Sequence, residues 1–154
     1  MGKIDDRLRE LGIALPDTPR PVAAYVPAVQ TGNLVFTAGQ IPLVEGKLCC
    51  TGTVGRDLTL EQGTECARIC ALNALAAIRG LIGDLDRIER VVKINGWVAS
   101  ADDFTDQPRV MNGASELIAQ IFGEAGQHAR AALGVNALPL GAPVEVEMIV
   151  QISG

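Results

Sequence analysis

The sequence predicts a single-domain α+β fold, a mixed sheet of five to six strands with two helices packed on one face. Three observations point there. Two long stretches, one beginning after residue 59 and one after residue 106, repeat apolar residues at helical spacing. The segments before, between and after them alternate apolar and polar residues with the period of a strand. Two helices cover one face of such a sheet and not both, while the other face still carries apolar residues such as Ile149.

Taken in order, Ile4, Leu8 and Leu11 predict a short amphipathic helix over 4–11, and Pro16, Pro19 and Pro21 an extended linker. A first strand is expected around 22–31, ending at the Gly32-Asn33 turn. Leu34 to Ile41 is apolar on both alternating faces, which predicts a central strand covered on both sides. A short strand near 47–51 follows the Glu45-Gly46 turn. Thr59-Leu60-Glu61-Gln62 has capping-box spacing, and an alanine-rich helix runs on to about Leu81. Its stripe is Cys66, Ile69, Cys70, Asn73 and Ala77, and Gly83 ends it.

Residues 88–99 alternate again, with Val92, Ile94 and Val98 on one face and Trp97 on the other. Asp106 can cap the second helix, and Pro108 sits in the first turn, where a missing N–H costs little. Val110, Ala114, Leu117, Ile118 and Ile121 form the core stripe of that helix, which ends near Gly123 and Gly126. Two strands close the chain. The first carries Arg130 on a face shared with His128 and Ala132. The second places Val144, Val146, Met148, Val150 and Ile152 on one face and Glu145, Glu147, Ile149 and Gln151 on the other.

Composition excludes several classes. At 154 residues the chain forms one domain with a genuine core, filled by Ala, Val, Leu and Ile because aromatics are only 3%. A net charge of −5 with scattered basic residues argues against nucleic acid as a partner, and five aromatics make no stacking platform. No segment resembles a signal peptide or has the ~20 apolar residues needed to span a bilayer. A cytoplasmic protein is expected. Cys49 and Cys50 are adjacent, and Cys66 and Cys70 lie one helical turn apart. With one histidine and no CxxC spacing, the reading is small buried thiols, with no metal, cofactor or disulfide framework.

The chemistry concentrates in residues 128–147. If the apolar faces of the last two strands line one core, Arg130 and Glu145 share the opposite face. Two readings follow: a carboxylate-binding, acid/base pocket, or a structural cross-strand ion pair. The run Arg130, Val135, Leu138-Pro139 and Val144-Glu145-Val146-Glu147 resembles the C-terminal signature of the RidA/YjgF/UK114 family. A second segment agrees, Tyr25 followed by Gly32-Asn33-Leu34-Val35-Phe36-Thr37-Ala38-Gly39-Gln40-Ile41-Pro42.

The resemblance spans about residues 20–152. It leaves 1–19 as a helical extension or oligomer contact and makes 20–154 the domain proper. It implies a chorismate-mutase-like fold assembled as a homotrimer with pockets between subunits. It further implies a reactive-intermediate deaminase that hydrolyses 2-imino acids such as 2-aminoacrylate to 2-keto acids and ammonia. Arg130 would clamp the substrate carboxylate and Glu145 would position or activate water. Tyr25, Gly39 and Asn112 would line the pocket, and His128 is left outside it. Two departures stand out: Val26-Pro27 replaces the usual Ser-Gln, and Ala132 stands where many members carry cysteine. The alternatives are a non-catalytic carboxylate-binding or regulatory trimer and, against the acidic charge and single histidine, an endoribonuclease.

Overall fold

A computed structural model of the protein describes residues 2–20 and 24–154. Pro21 of the predicted linker and residues 22 and 23 of the strand expected over 22–31 lie outside the described residues; 24–27 are not strand, which begins only at Ala28. The elements run α1 (Lys3–Glu10), β1 (Ala28–Thr31), β2 (Leu34–Thr37), β3 (Leu43–Val44), β4 (Lys47–Leu48), α2 (Leu60–Ile82), β5 (Ile88–Ala99), α3 (Gln107–Phe122), β6 (Ala129–Val135) and β7 (Val144–Ile152). Five strands form one mixed sheet in the order β1-β2-β7-β5-β6, and β3 and β4 make a separate hairpin. Among the described strands only β5 and β6 run parallel, because α3 carries the chain back between them.

Local chemistry explains most of these elements. Thr59 Oγ1 accepts from the Gln62 amide at 3.1 Å, and Gln62 Oε1 accepts from the Thr59 amide at 2.9 Å, so α2 opens on a complete capping box. The β3–β4 turn takes positive φ at Glu45 (52°) and Gly46 (81°), the backbone a two-residue hairpin requires. Asp106, by contrast, makes no side-chain cap for α3 and pairs with Arg109 at 3.5 Å. At the N-terminus, Asp86 accepts from the amides of Lys3 and Ile4, both at 2.8 Å, which holds the start of α1. Leu8 is thereby buried in the core of its own chain. No helix among the described residues is long and apolar enough to cross a membrane.

Helices α2 and α3 pack on one face of the sheet, against Val35, Val91, Ile94, Val98 and the even-numbered residues of β7. The opposite face pairs Phe36 with both Val29 and Ile149, and Trp97 with Leu133 and Glu145. Within one chain that face is uncovered: Val29 is 51% and Leu133 55% exposed. Strand β2 is shorter than expected and not sandwiched, since Leu34 and Phe36 stay half-exposed and Gln40 returns only as a single bridge to Val146. Register shifts between Val91 and Lys93 change the phase of β5, so Val91 enters the core and Val92 does not.

The largest correction concerns the last two strands. They are not neighbours, because the twelve-residue β5 lies between them and bonds to both. Arg130 pairs with Ile94, a core residue, so it points to the helix face, whereas Glu145 pairs with Trp97 on the open face. The two side chains share no face, and the cross-strand ion pair between them does not form.

Candidate functional site

Glu145 sits on β7, where the period of two turns it out of the core while Val144 and Val146 anchor the strand on either side. Its carboxyl is half-buried, and that burial, followed by the like charge of Glu147, pushes its pKa above the usual carboxylate range. Glu147 is held by Asn95, whose Nδ2 donates to Oε1 at 2.9 Å. The chain after β2 passes close by. A Cβ built at Gly39 would collide with the Glu145 carboxylate, so the absence of a side chain there makes room for the acid.

Around this acid opens a cleft of about 800 Å³ whose walls include Tyr25, Val29, Phe36, Gly39 and Leu140. Three residues singled out from the sequence, Tyr25, Gly39 and Glu145, therefore line one cavity. Val26, one of the departures, lines it too. Pro139, quoted in the C-terminal motif but given no site role, and Leu140, not singled out from the sequence, line it as well. Leu140 holds φ 61° and ψ 13°, a left-handed conformation uncommon outside glycine, and is 77% exposed at the rim. Pro139 before it and Gly141 after it were the available signal for a tight, strained turn.

Arg130 belongs to a second group at the sheet edge. Its Nη1 donates to Asn112 Oδ1 at 2.9 Å and to Ser115 Oγ at 3.1 Å. The structure thus brings Asn112, placed on α3 at 112, directly to the arginine. His128 joins through Ser115: its Nε2 lies 2.9 Å from Ser115 Oγ and its Nδ1 2.6 Å from the Gly126 carbonyl. A carbonyl only accepts, so Nδ1 carries a proton, and Nε2 shares a hydrogen bond with the serine hydroxyl. Ser115 was missed from sequence. It follows Asn112 by three residues on one helix face, and that spacing could have found it. Among the described ion pairs none involves Arg130, so its guanidinium keeps an uncompensated charge and a fork suited to a carboxylate. Ala132 shares the helix face two residues on and packs against the core.

A third cluster lines neither the cleft nor the arginine group. The structure gathers Cys49, Cys50 and Cys66, with Sγ separations of 3.0 Å (Cys49–Cys66), 2.8 Å (Cys50–Cys66) and 3.8 Å (Cys49–Cys50). The expectation of small buried thiols holds for Cys66 and Cys70 but not for Cys49, which is exposed. Cys70 stands outside the cluster, its thiol donating to the Val144 carbonyl at 3.6 Å. Burial, reinforced by the neighbouring thiols, raises the Cys66 pKa far above its ordinary value.

The family model described as YjgF/chorismate mutase-like, a description that also carries an endoribonuclease label, matches residues 5–152. Protein TCP17 of Trypanosoma cruzi is 44% identical over 153 residues, which cover 99% of this chain and 96% of that one. A Salmonella typhimurium protein named 2-iminobutanoate/2-iminopropanoate deaminase is 30% identical over 139 residues, 89% of this chain and 94% of that one. Among solved structures, a protein of unknown function from Agrobacterium tumefaciens is 48% identical and superposes with a TM-score of 0.90, covering 97% of this chain and 92% of its own.

Proposed function

Because this chain belongs to the RidA/YjgF family, we propose that it hydrolyses reactive 2-imino acids, the tautomers of enamines such as 2-aminoacrylate, to 2-keto acids and ammonia. One observation carries the reading. The chain holds an uncompensated guanidinium, Arg130, and a half-buried carboxyl of raised pKa, Glu145, on opposite faces of one sheet. Each is half of a site, and neither half reaches the other within a chain. A second copy unites them: Arg130 and Asn112 from one subunit face Tyr25, Gly39 and Glu145 of the next. A closed ring of three copies repeats that contact at every interface and covers the open sheet face.

In such a pocket Arg130 binds the substrate carboxylate through the part of its fork that Asn112 and Ser115 leave unused. Glu145 takes a proton from water as the water oxygen bonds to the imine carbon and the C=N electron pair moves onto nitrogen. The proton then passes to that nitrogen to give a carbinolamine. Glu145 next takes the carbinol O–H proton and delivers it to the nitrogen as the C–N bond breaks, so ammonia leaves and the C=O of the keto acid forms. The imine carbon is already electrophilic, so orientation and proton transfer are the help it needs. A carboxyl with a raised pKa suits both directions of that transfer.

The test is a coupled assay in which a PLP-dependent dehydratase generates 2-aminoacrylate from serine. Adding this protein should speed the appearance of pyruvate and ammonia over the uncatalysed background. Saturable pyruvate binding with no acceleration would make the chain a carboxylate-binding module and overturn the enzymatic reading.

A further inference from the structure

The three-thiol cluster takes no part in the proposed deamination and stands whether or not that reading holds. It draws on two separate parts of the fold. Cys49 and Cys50 follow β4, and Cys66 lies in the second turn of α2. The amide of Cys49 donates to the Pro42 carbonyl at 3.1 Å and that of Gly52 to the Gly141 carbonyl at 3.0 Å, so backbone bonds on both sides bring the pair over the helix. All three sulfurs lie within 4.8 Å of one another, with Cys66 buried and Cys49 open to solvent.

From this arrangement we propose that Cys49, Cys50 and Cys66 form a binding site for one thiophilic d10 cation, Zn(II) or Cu(I). The donor set is sulfur alone. Mg²⁺ and Ca²⁺ require oxygen ligands and are disfavoured, whereas thiolates select the soft and borderline ions. A metal–sulfur bond of about 2.3 Å sets the three sulfurs about 4 Å apart around a central ion. The Cys49–Cys50 separation of 3.8 Å already meets that. The Cys66 sulfur withdraws by about 1 Å to match. A disulfide, by contrast, would use two of the three thiols and leave the third without a role.

Each thiol surrenders its proton on binding, so one ion displaces three protons to solvent. Zn(II) would complete its shell with a water on the exposed Cys49 side, while Cu(I) is satisfied by three sulfurs. The bound ion would clasp the 49–52 segment to α2. That segment is bonded at one end to the chain leaving Gly39 and at the other to the turn after Leu140, so the clasp braces two walls of the cleft.

The reduced full-length protein should bind one equivalent of Zn(II) by titration calorimetry. Cd(II) as a reporter should give a sulfur-to-metal charge-transfer band in the near ultraviolet. Withdrawal of Cu(I) from a coloured chelator separates the two ions. Cys49→Ser and Cys50→Ser change exposed or half-exposed positions and should leave the fold intact while weakening binding by more than about 100-fold. Cys70→Ser should leave stoichiometry and affinity unchanged. Absence of binding in the reduced protein, or binding kept in the Cys49→Ser/Cys50→Ser double variant, would overturn the site. So would loss of two thiols to peroxide as a Cys66 disulfide in a protein that takes up no metal.

Discussion

Arg130 is fixed from within its own chain, its Nη1 shared between two neutral acceptors on α3, whereas Glu145 stands in an open cleft beside a glycine and is tuned by burial. The contrast fits the roles proposed for the two groups. A cation that must hold a ligand needs orientation without neutralisation, and Asn112 and Ser115 supply that where a carboxylate partner would have spent the charge. A carboxyl that must give and take protons near neutral pH needs a raised pKa, and partial burial next to Glu147 supplies it. On the proposed reading, the region around Arg130 would serve binding and the region around Glu145 proton transfer.

The comparison breaks most visibly at the acid. Glu145→Gln keeps the volume but not the basicity, and should lower turnover by about 10²–10⁴-fold while pyruvate binding stays near that of the parent. A fully active variant, measured beside its thermal melt, would remove the glutamate from the chemistry. The opposite placement of the two halves gives a second test. Arg130→Ala and Glu145→Gln chains, each nearly inactive, are dissociated, mixed in equal amounts and reassembled. If each site spans two subunits of a ring of three, every mixed trimer regains one intact site, and about a quarter of parental activity returns. Failure to regain activity would return both residues to one chain's site or dissolve the pairing.

The binding half is expected to respond more modestly. Arg130→Ala should weaken pyruvate binding by about one to two decades, the worth of a charge-assisted, bidentate contact. Arg130→Lys should recover only part of it, because an ammonium cannot reproduce the planar fork. Calorimetry with unchanged affinity in Arg130→Ala would place the carboxylate elsewhere.

The smallest effect sharpens the acid half through stability. A glutamate whose folded pKa is raised favours the folded state in its protonated form. That advantage is complete below the unfolded pKa and is lost as pH rises through the folded one. Glu145→Gln should therefore melt slightly above the parent at neutral pH, and the gap should close on acidification below the ordinary glutamate range. A gap that widens in acid would contradict the cause assigned to the shift.

What the sequence determined by itself was local. The capping box at Thr59, the helix stop at Gly83, the β3–β4 turn and the phase of β7 were legible because neighbouring residues decide them, and β7 sets an unbroken apolar face, Val144 to Ile152, against one that is polar except for Ile149. Tyr25, Gly39 and Glu145 could be named for the same reason, each standing inside a recognisable local motif. The tertiary structure alone decided which strand lies beside which and where β6 faces. Strand β6 is Ala-Arg-Ala-Ala-Leu-Gly-Val, with small residues on both faces, so a period of two carries no preferred phase there. Pairing with β5, set by the return through α3, turned Arg130 toward Asn112 and Ser115 and away from Glu145. The meeting of Cys49 and Cys50 with Cys66 is of the same kind. It depends on backbone bonds to Pro42 and Gly141, partners whose closeness no local pattern encodes.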